Sequence, residues 1–216
     1  MDNTRFRGAA WIDTPQDILQ IGLGGIGCQT ATNLLACGHK LTIYEFDTIE
    51  SHNCIPQGYF KQYIGFKKLT AFAAQMLTMF GKSAIKNLVS LHAKFDESSI
   101  IKPVTIVAVD NMATRKLAFE KWKTQEDREL FIDGRLLAET YHLFCVQKGQ
   151  EERYESTLFS DDEVAPTMCT YQQTRYVAGI LAGRITQSIN NFSIGIDVPF
   201  REEYQGILFT LTTQYD

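Results

Sequence analysis

An α/β fold whose sheet is parallel in its first half and antiparallel in its second is what the sequence predicts, on three observations. Ile18-Leu-Gln-Ile21 is a short apolar strand that runs into Gly22-Leu-Gly-Gly-Ile-Gly27 and then into the helix-like run Gln29 to Ala36. Val104-Thr-Ile-Val-Ala-Val109 is a continuous apolar, β-branched run, the pattern of a parallel strand covered on both faces. From Thr140 to Gln147 the pattern changes to alternation, which signals antiparallel pairing. The chain has 216 residues, 44% of them apolar, enough for one sizeable core. Residues 1–216 are therefore read as a single domain, with an N-terminal arm at 1–17 and a crossover loop at 150–168.

Taken in order, the first unit has the shape of a phosphate cradle. Glycine permits positive φ and close approach of the backbone to an anion, and the first N–H groups of the following helix point at whatever lies there. Gly22 is assigned the tight turn, Gly24 and Gly25 the room for phosphate oxygens, and Gly27 the packing of helix on strand. Gly38 ends that helix. A second strand, Leu41 to Tyr44, ends at Glu45-Phe-Asp47, which puts a carboxylate at the spacing expected of a ribose ligand. A polar loop follows from Thr48 to Tyr63, and Gly65-Phe-Lys-Lys68 opens an amphipathic helix through Met79. Lys67 and Lys68 oppose that helix's dipole, so either an anion lies nearby or both are solvated.

Asn87 to His92 reads as a third strand. The run to Val109 ends in Asp110-Asn111, where Asp110 lies on the same strand-end rim as Gly22 and Glu45 or caps the helix Ala113 to Lys123. Phe131-Ile-Asp133 precedes Gly134-Arg135 and the strand 140–147. Glu151 to Asp162 has no apolar period and is read as a loop, a long helix follows over about 172–190, and Gly206 to Thr213 forms the last strand.

The formal net charge of −4 argues against a dominant nucleic-acid or anionic-membrane surface. No stretch approaches the roughly 20 apolar residues that span a bilayer, and the N-terminus lacks a secretion signal, so a cytoplasmic location is expected. The cysteines at 28, 37, 54, 145 and 169 form no C-x-x-C pair, and the histidines at 39, 52, 92 and 142 show no metal-ligand spacing.

Together Gly22-Leu-Gly-Gly-Ile-Gly27, Glu45-Phe-Asp47, Asn53, Gln57, Gly65-x-x-Lys68, Asp110-Asn111 and Arg115 resemble, in order and spacing over about residues 18–190, the ThiF/MoeB/ubiquitin-activating enzyme superfamily. The resemblance implies a Rossmann-like ThiF-type fold, helices on both faces of a mixed sheet, and a homodimer. It also implies an ATP-dependent adenylyltransferase that activates the C-terminal carboxylate of a ubiquitin-like or sulfur-carrier protein, or of a peptide. On that basis Glu45 binds the ribose with Asp47 in support, Asn53 and Gln57 line the phosphate site, Lys68 contacts phosphates, and Asp110 holds Mg2+. Arg115 anchors Asp110 or its helix. Pro166-Thr-Met-Cys-Thr170 is similar to the family's thioester motif, which makes Cys169 either a nucleophile or a small packing residue.

Three departures stand out. Pro56 occupies the place where members carry an arginine before Gln57, Glu45 replaces the more usual Asp, and paired C-x-x-C zinc motifs are absent. If the chain turns over, Arg5 or Arg7 of the arm, or Arg135 on the rim, supplies the missing cation. The competing expectations are a nucleotide-binding scaffold that has lost catalysis, which Pro56 favours, and an NAD- or FAD-dependent oxidoreductase, which leaves Lys68 and Asp110 without a role.

Overall fold

Residues 8–160 and 175–215 are described in the computed structural model. The chain runs β1 (Asp17–Ile21), α1 (Gly25–Cys37), β2 (Lys40–Tyr44), α2 (Cys54–Gln57), α3 (Lys68–Phe80), α4 (Lys82–Ile85) and β3 (Leu88–Leu91). It continues through β4 (Val104–Val107), α5 (Met112–Lys123), β5 (Leu130–Leu137), β6 (Thr140–Gln147), α6 (Glu151–Glu155), α7 (Arg175–Ser193), β7 (Arg201–Gln205) and β8 (Thr210–Gln214). The strands form one sheet in the order β3-β2-β1-β4-β5-β6-β7-β8. Pairing is parallel from β3 to β5 and antiparallel from β5 to β8, as the change of pattern predicts.

The continuous apolar runs follow from a sheet covered on both sides. Alternate strand residues face opposite ways, so Ile18, Ile106 and Ile132 join one buried cluster with α1, α3 and α7. Leu19, Val107 and Phe131 join the other with α5 and α6. Trp122, Phe119 and Tyr154 fill this second layer with stacked and tilted rings, and Trp122 Nε1 donates to Pro103 O at 2.9 Å. α1 ends where Gly38 turns left-handed (φ +92°) and its N–H returns to Leu34 O and Leu35 O, satisfying carbonyls that the helix leaves open.

Three expectations need correction. The stretch from Glu151 is not all loop, because its first five residues form α6. Only Tyr154 points inward there, so the sequence offers no period to read, yet that tyrosine is fully buried. The C-terminal strand predicted at 206–213 begins too early: 206–209 form the turn of a hairpin between β7 and β8, and β8 starts only at Thr210. Arg201-Glu-Glu-Tyr-Gln205 shows no apolar alternation, but Glu202 is buried and receives Arg184 from α7 and the Tyr141 hydroxyl, so an ion pair stands where a strand normally buries an aliphatic side chain. The polar loop 48–63 contains short helical turns at Ser51–Asn53, Cys54–Gln57 and Lys61–Tyr63.

Trp122→Ala removes the largest side chain of the second layer and should lower stability in urea unfolding by about 3–5 kcal/mol. A loss below about 1 kcal/mol would mean that this layer is not closely packed.

Candidate functional site

The parallel strands end on one rim, and backbone bonds fix how closely they meet. Gly22 N–H donates to Tyr44 O at 3.0 Å, and Ala108 N–H donates to Ile21 O at 2.9 Å. Gly22 has φ +96°, and a Cβ there would lie 2.6 Å from Ala108 O. A Cβ on Gly27 would lie 2.3 Å from Gly22 O, so the first turn of α1 sits directly on the strand end. Both positions exclude any side chain. Gly24 differs: its φ is −77°, and a Cβ would touch nothing within 4 Å. The protein's own packing does not require glycine there, which leaves the space above Gly24 open to a ligand. Gln20, whose place in an apolar strand was an overlooked signal, donates from Nε2 to Gly22 O and Gly27 O at 2.9 Å each and staples the turn to the helix.

Glu45 closes the turn from β2. Its Oε2 accepts Leu23 N–H at 2.9 Å, while Oε1 accepts Phe46 N–H at 2.8 Å and Asp47 N–H at 2.9 Å. Lys68 is 5% exposed; its Nζ donates to Asp47 Oδ2 at 2.7 Å and stands 3.9 Å from Glu45 Oε2. The two lysines at the start of α3 therefore separate. Lys67 is exposed, while Lys68 turns inward to carboxylates that offset its opposition to the helix dipole. Glu45, Asp47 and Lys68, distant in sequence, form one cluster beside the glycines.

Asn53 is buried, and its Oδ1 accepts Glu50 N–H at 2.8 Å within a capping box, so it shapes the turn that leads into α2. Gln57 ends α2, and its Oε1 is buried without a hydrogen-bond partner among the described residues. Pro56 fits α2 because the first helical turn needs no N–H from it. Two residues absent from the sequence reading also reach this region. Tyr59 donates to Leu23 O at 2.9 Å, and Arg175 Nη1 donates to Ile55 O at 2.7 Å. Neither stands in a motif that would have flagged it.

Across the rim, Asp110 is exposed, and Asn111 rather than Asp110 caps α5 by accepting Thr114 N–H at 2.8 Å. Arg115 does not touch the Asp110 carboxylate. It donates to Val109 O at 2.5 Å and to Asp133 Oδ1 at 2.9 Å, so it holds the backbone that presents Asp110. Arg135 is not a spare rim cation either, since its Nε donates to Asp133 Oδ2 at 2.6 Å and its guanidinium lies 4.5 Å over the Phe144 ring. Asp133 is fully buried; burial pushes its carboxyl upward, but Arg115 and Arg135 outweigh that and hold it below the usual carboxylate range.

Burial pushes the Cys28 thiol, in the first turn of α1, up to about 12, so it is protonated near neutral pH and is no nucleophile. Cys28, Cys37, Cys54 and Cys145 are free thiols, and the described residues contain no cluster of three or more metal-ligating side chains. Arg5, Arg7 and Cys169 lie outside the described residues.

The profile of the ThiF family matches residues 14–212. No curated protein sequence matches the chain. Among solved structures, E. coli MccB is similar with a TM-score of 0.70 at 13% identity, over 95% of this chain and 64% of that one. MccB solved with AMPCPP and MccA gives a TM-score of 0.71 at 13% identity, over 100% and 72% of the two chains. PaaA gives 0.69 at 15% identity, over 95% and 66%. The likeness is one of fold, and the chain spans about two thirds of the length of these structures.

Asp133→Asn should cost about 3–5 kcal/mol, because it leaves the buried Arg115 guanidinium and the partly buried Arg135 one without their carboxylate. The folded-state pKa of Asp133 lies below its unfolded value, so its contribution is complete above that value, about 3.9, and is lost as pH falls through the folded one. Urea unfolding across the acid range should accordingly show a shallower pH dependence in the variant, and an unchanged slope would contradict the assignment.

Proposed function

The chain belongs to the ThiF family, and from that premise we propose that it is an ATP-dependent adenylyltransferase acting on a carboxylate. A carboxylate oxygen of the substrate forms a bond to the α-phosphorus of ATP, the bond from that phosphorus to the bridging oxygen breaks, and pyrophosphate leaves with the electron pair. Two anions must meet and a third must depart, so the site has to supply positioning and positive charge rather than covalent chemistry.

The observation that carries this reading is the meeting of the open Gly24 backbone with Glu45, Lys68 and Asp110 on one rim. Gly24 would admit the phosphates to the start of α1. Glu45 Oε2 accepts one backbone N–H at 2.9 Å, which leaves a lone pair for a ribose hydroxyl. The Lys68 ammonium has three donors, of which one is given to Asp47 Oδ2 at 2.7 Å while Glu45 Oε2 stands 3.9 Å away, so a donor would be available to a phosphate oxygen. Asp110, exposed and free of the capping task, would hold Mg2+, an ion that commonly takes one or two protein carboxylates and completes its shell with phosphates and water. When bound, the ion neutralises charge on the leaving pyrophosphate.

The substrate class we favour is the C-terminal carboxylate of a ubiquitin-like or sulfur-carrier protein, or of a peptide. MccB, solved with ATP and with AMPCPP and MccA, supports a nucleotide and a second bound molecule meeting on this fold. A homodimer and a thioester at Cys169 are proposals that rest on the family resemblance alone.

Titration should show ATP with Mg2+ binding in clear preference to NAD, and tight NAD binding that ATP does not displace would overturn the reading. Asp110→Ala should keep the fold and lose pyrophosphate–ATP exchange, assayed over a panel of ubiquitin-like proteins ending in Gly-Gly, by more than about 100-fold. Lys68→Ala should lose both exchange and stability, because it strips the buried Glu45 carboxylate and its exposed neighbour Asp47 of their cation.

A further inference from the structure

An adenylation site needs a cation beside the departing pyrophosphate, and the cations near this rim are not equivalent. Arg115 and Arg135 are locked onto buried Asp133, and Lys68 is shared between Asp47 and Glu45. Pro56, in the turn after Asn53, brings neither charge nor N–H. Arg175 differs from all of these. No carboxylate among the described residues pairs with its guanidinium, which spends one of its five donors on Ile55 O at 2.7 Å.

The placement of that guanidinium is built rather than incidental. α7 is fixed against α1 by Val177, Ala178, Leu181 and Ile185, and a Cβ on Gly179 would stand 3.0 Å from Gln29 Oε1, so the two helices approach closely. Gln29 then bridges them, its Nε2 donating to Gly25 O at 3.1 Å and reaching Arg175 O at 3.5 Å. The first described residue of α7 is thereby held one glutamine away from the glycine turn. Its side chain lies across the 55–58 turn, where Gly58, at φ +81°, lets it rest on bare backbone; a Cβ there would meet Nη1 and Nη2 at 3.4 Å. Cys28, in the first turn of α1, feels both Arg175 and Lys68 as nearby positive charges, which sets the two cations around the same helix start.

We propose that Arg175 is the phosphate-site guanidinium of this chain, reaching from α7 over the Ile55–Gly58 turn to bind the β- and γ-phosphates of ATP and the pyrophosphate that leaves. The proposal rests on the adenylyltransferase reading above. It makes Pro56 compatible with catalysis, because the fork that position 56 lacks arrives from another helix, and guanidinium is the side-chain group best matched to bidentate phosphate binding.

The test is titration of wild type, Arg175→Gln and Arg175→Lys with ATP plus Mg2+ and, separately, with AMP, each variant first checked by thermal unfolding. Gln keeps a donor for Ile55 O but no charge; Lys keeps the charge but loses the fork. Arg175→Gln should weaken ATP binding roughly 10- to 100-fold, the worth of a charge-assisted hydrogen bond, leave AMP binding nearly unchanged, and be at least partly recovered in Arg175→Lys. Loss of ATP and AMP affinity in equal measure, no loss in Arg175→Gln, or equal ATP losses in the two variants would overturn the proposal, leaving Arg175 as a clasp on the turn or as a bystander. Wild type that binds neither nucleotide would instead refute the adenylyltransferase reading, and this inference with it.

Discussion

Glu45 is the contact on which the rest of the rim depends. Its carboxylate ties Leu23 N–H in the glycine turn to the two N–H groups that follow β2, so the turn and the strand end move as one body. That places Asp47 and Glu45 where Lys68 must turn inward, and the inward turn of Lys68 fixes the start of α3 against the same strand end, with Lys68 N–H also bonded to Asp47 O at 2.9 Å. A buried carboxylate accepting several N–H bonds is strongly oriented, and a buried ammonium between two carboxylates is equally so. The candidate ligand groups are therefore held before any ligand arrives, which is what catalysis by positioning requires.

Two further devices support the rim from outside it. Asp133, gripped by Arg115, Arg135 and the Tyr154 hydroxyl, joins β5, α5 and α6 and fixes the Val109 carbonyl just ahead of Asp110. On the opposite face, Glu202 gathers Arg184 and Tyr141, tying α7 to the antiparallel strands. The antiparallel half contributes none of the rim groups assigned here; it anchors the helix that carries Arg175.

Much of this was legible in the sequence because the parallel half obeys short-range rules. The glycine turn, β1, β2, β4 and the carboxyl-end placement of Glu45 and Asp110 follow from apolar runs and turn chemistry. What escaped was decided by tertiary partners. Arg201–Gln205 reads as a polar segment because its buried residue is a glutamate, and α6 has a single inward side chain. Asn111 took the cap that Asp110 was equally suited to fill, a choice between neighbours that propensity does not resolve. Arg175 carries no motif at all, and only the packing of α7 on α1 brings it to the turn where Pro56 stands.

Amide hydrogen exchange with and without ATP and Mg2+ tests the central claim most directly, since it reads the backbone of the cradle itself. Binding at the glycine turn should slow exchange at Gly24 to Cys28 and across Asn53 to Gly58, while β7 and β8 stay as they are. Unchanged exchange at Gly24 to Cys28 under saturating ATP, or slowing confined to the antiparallel strands, would contradict the account.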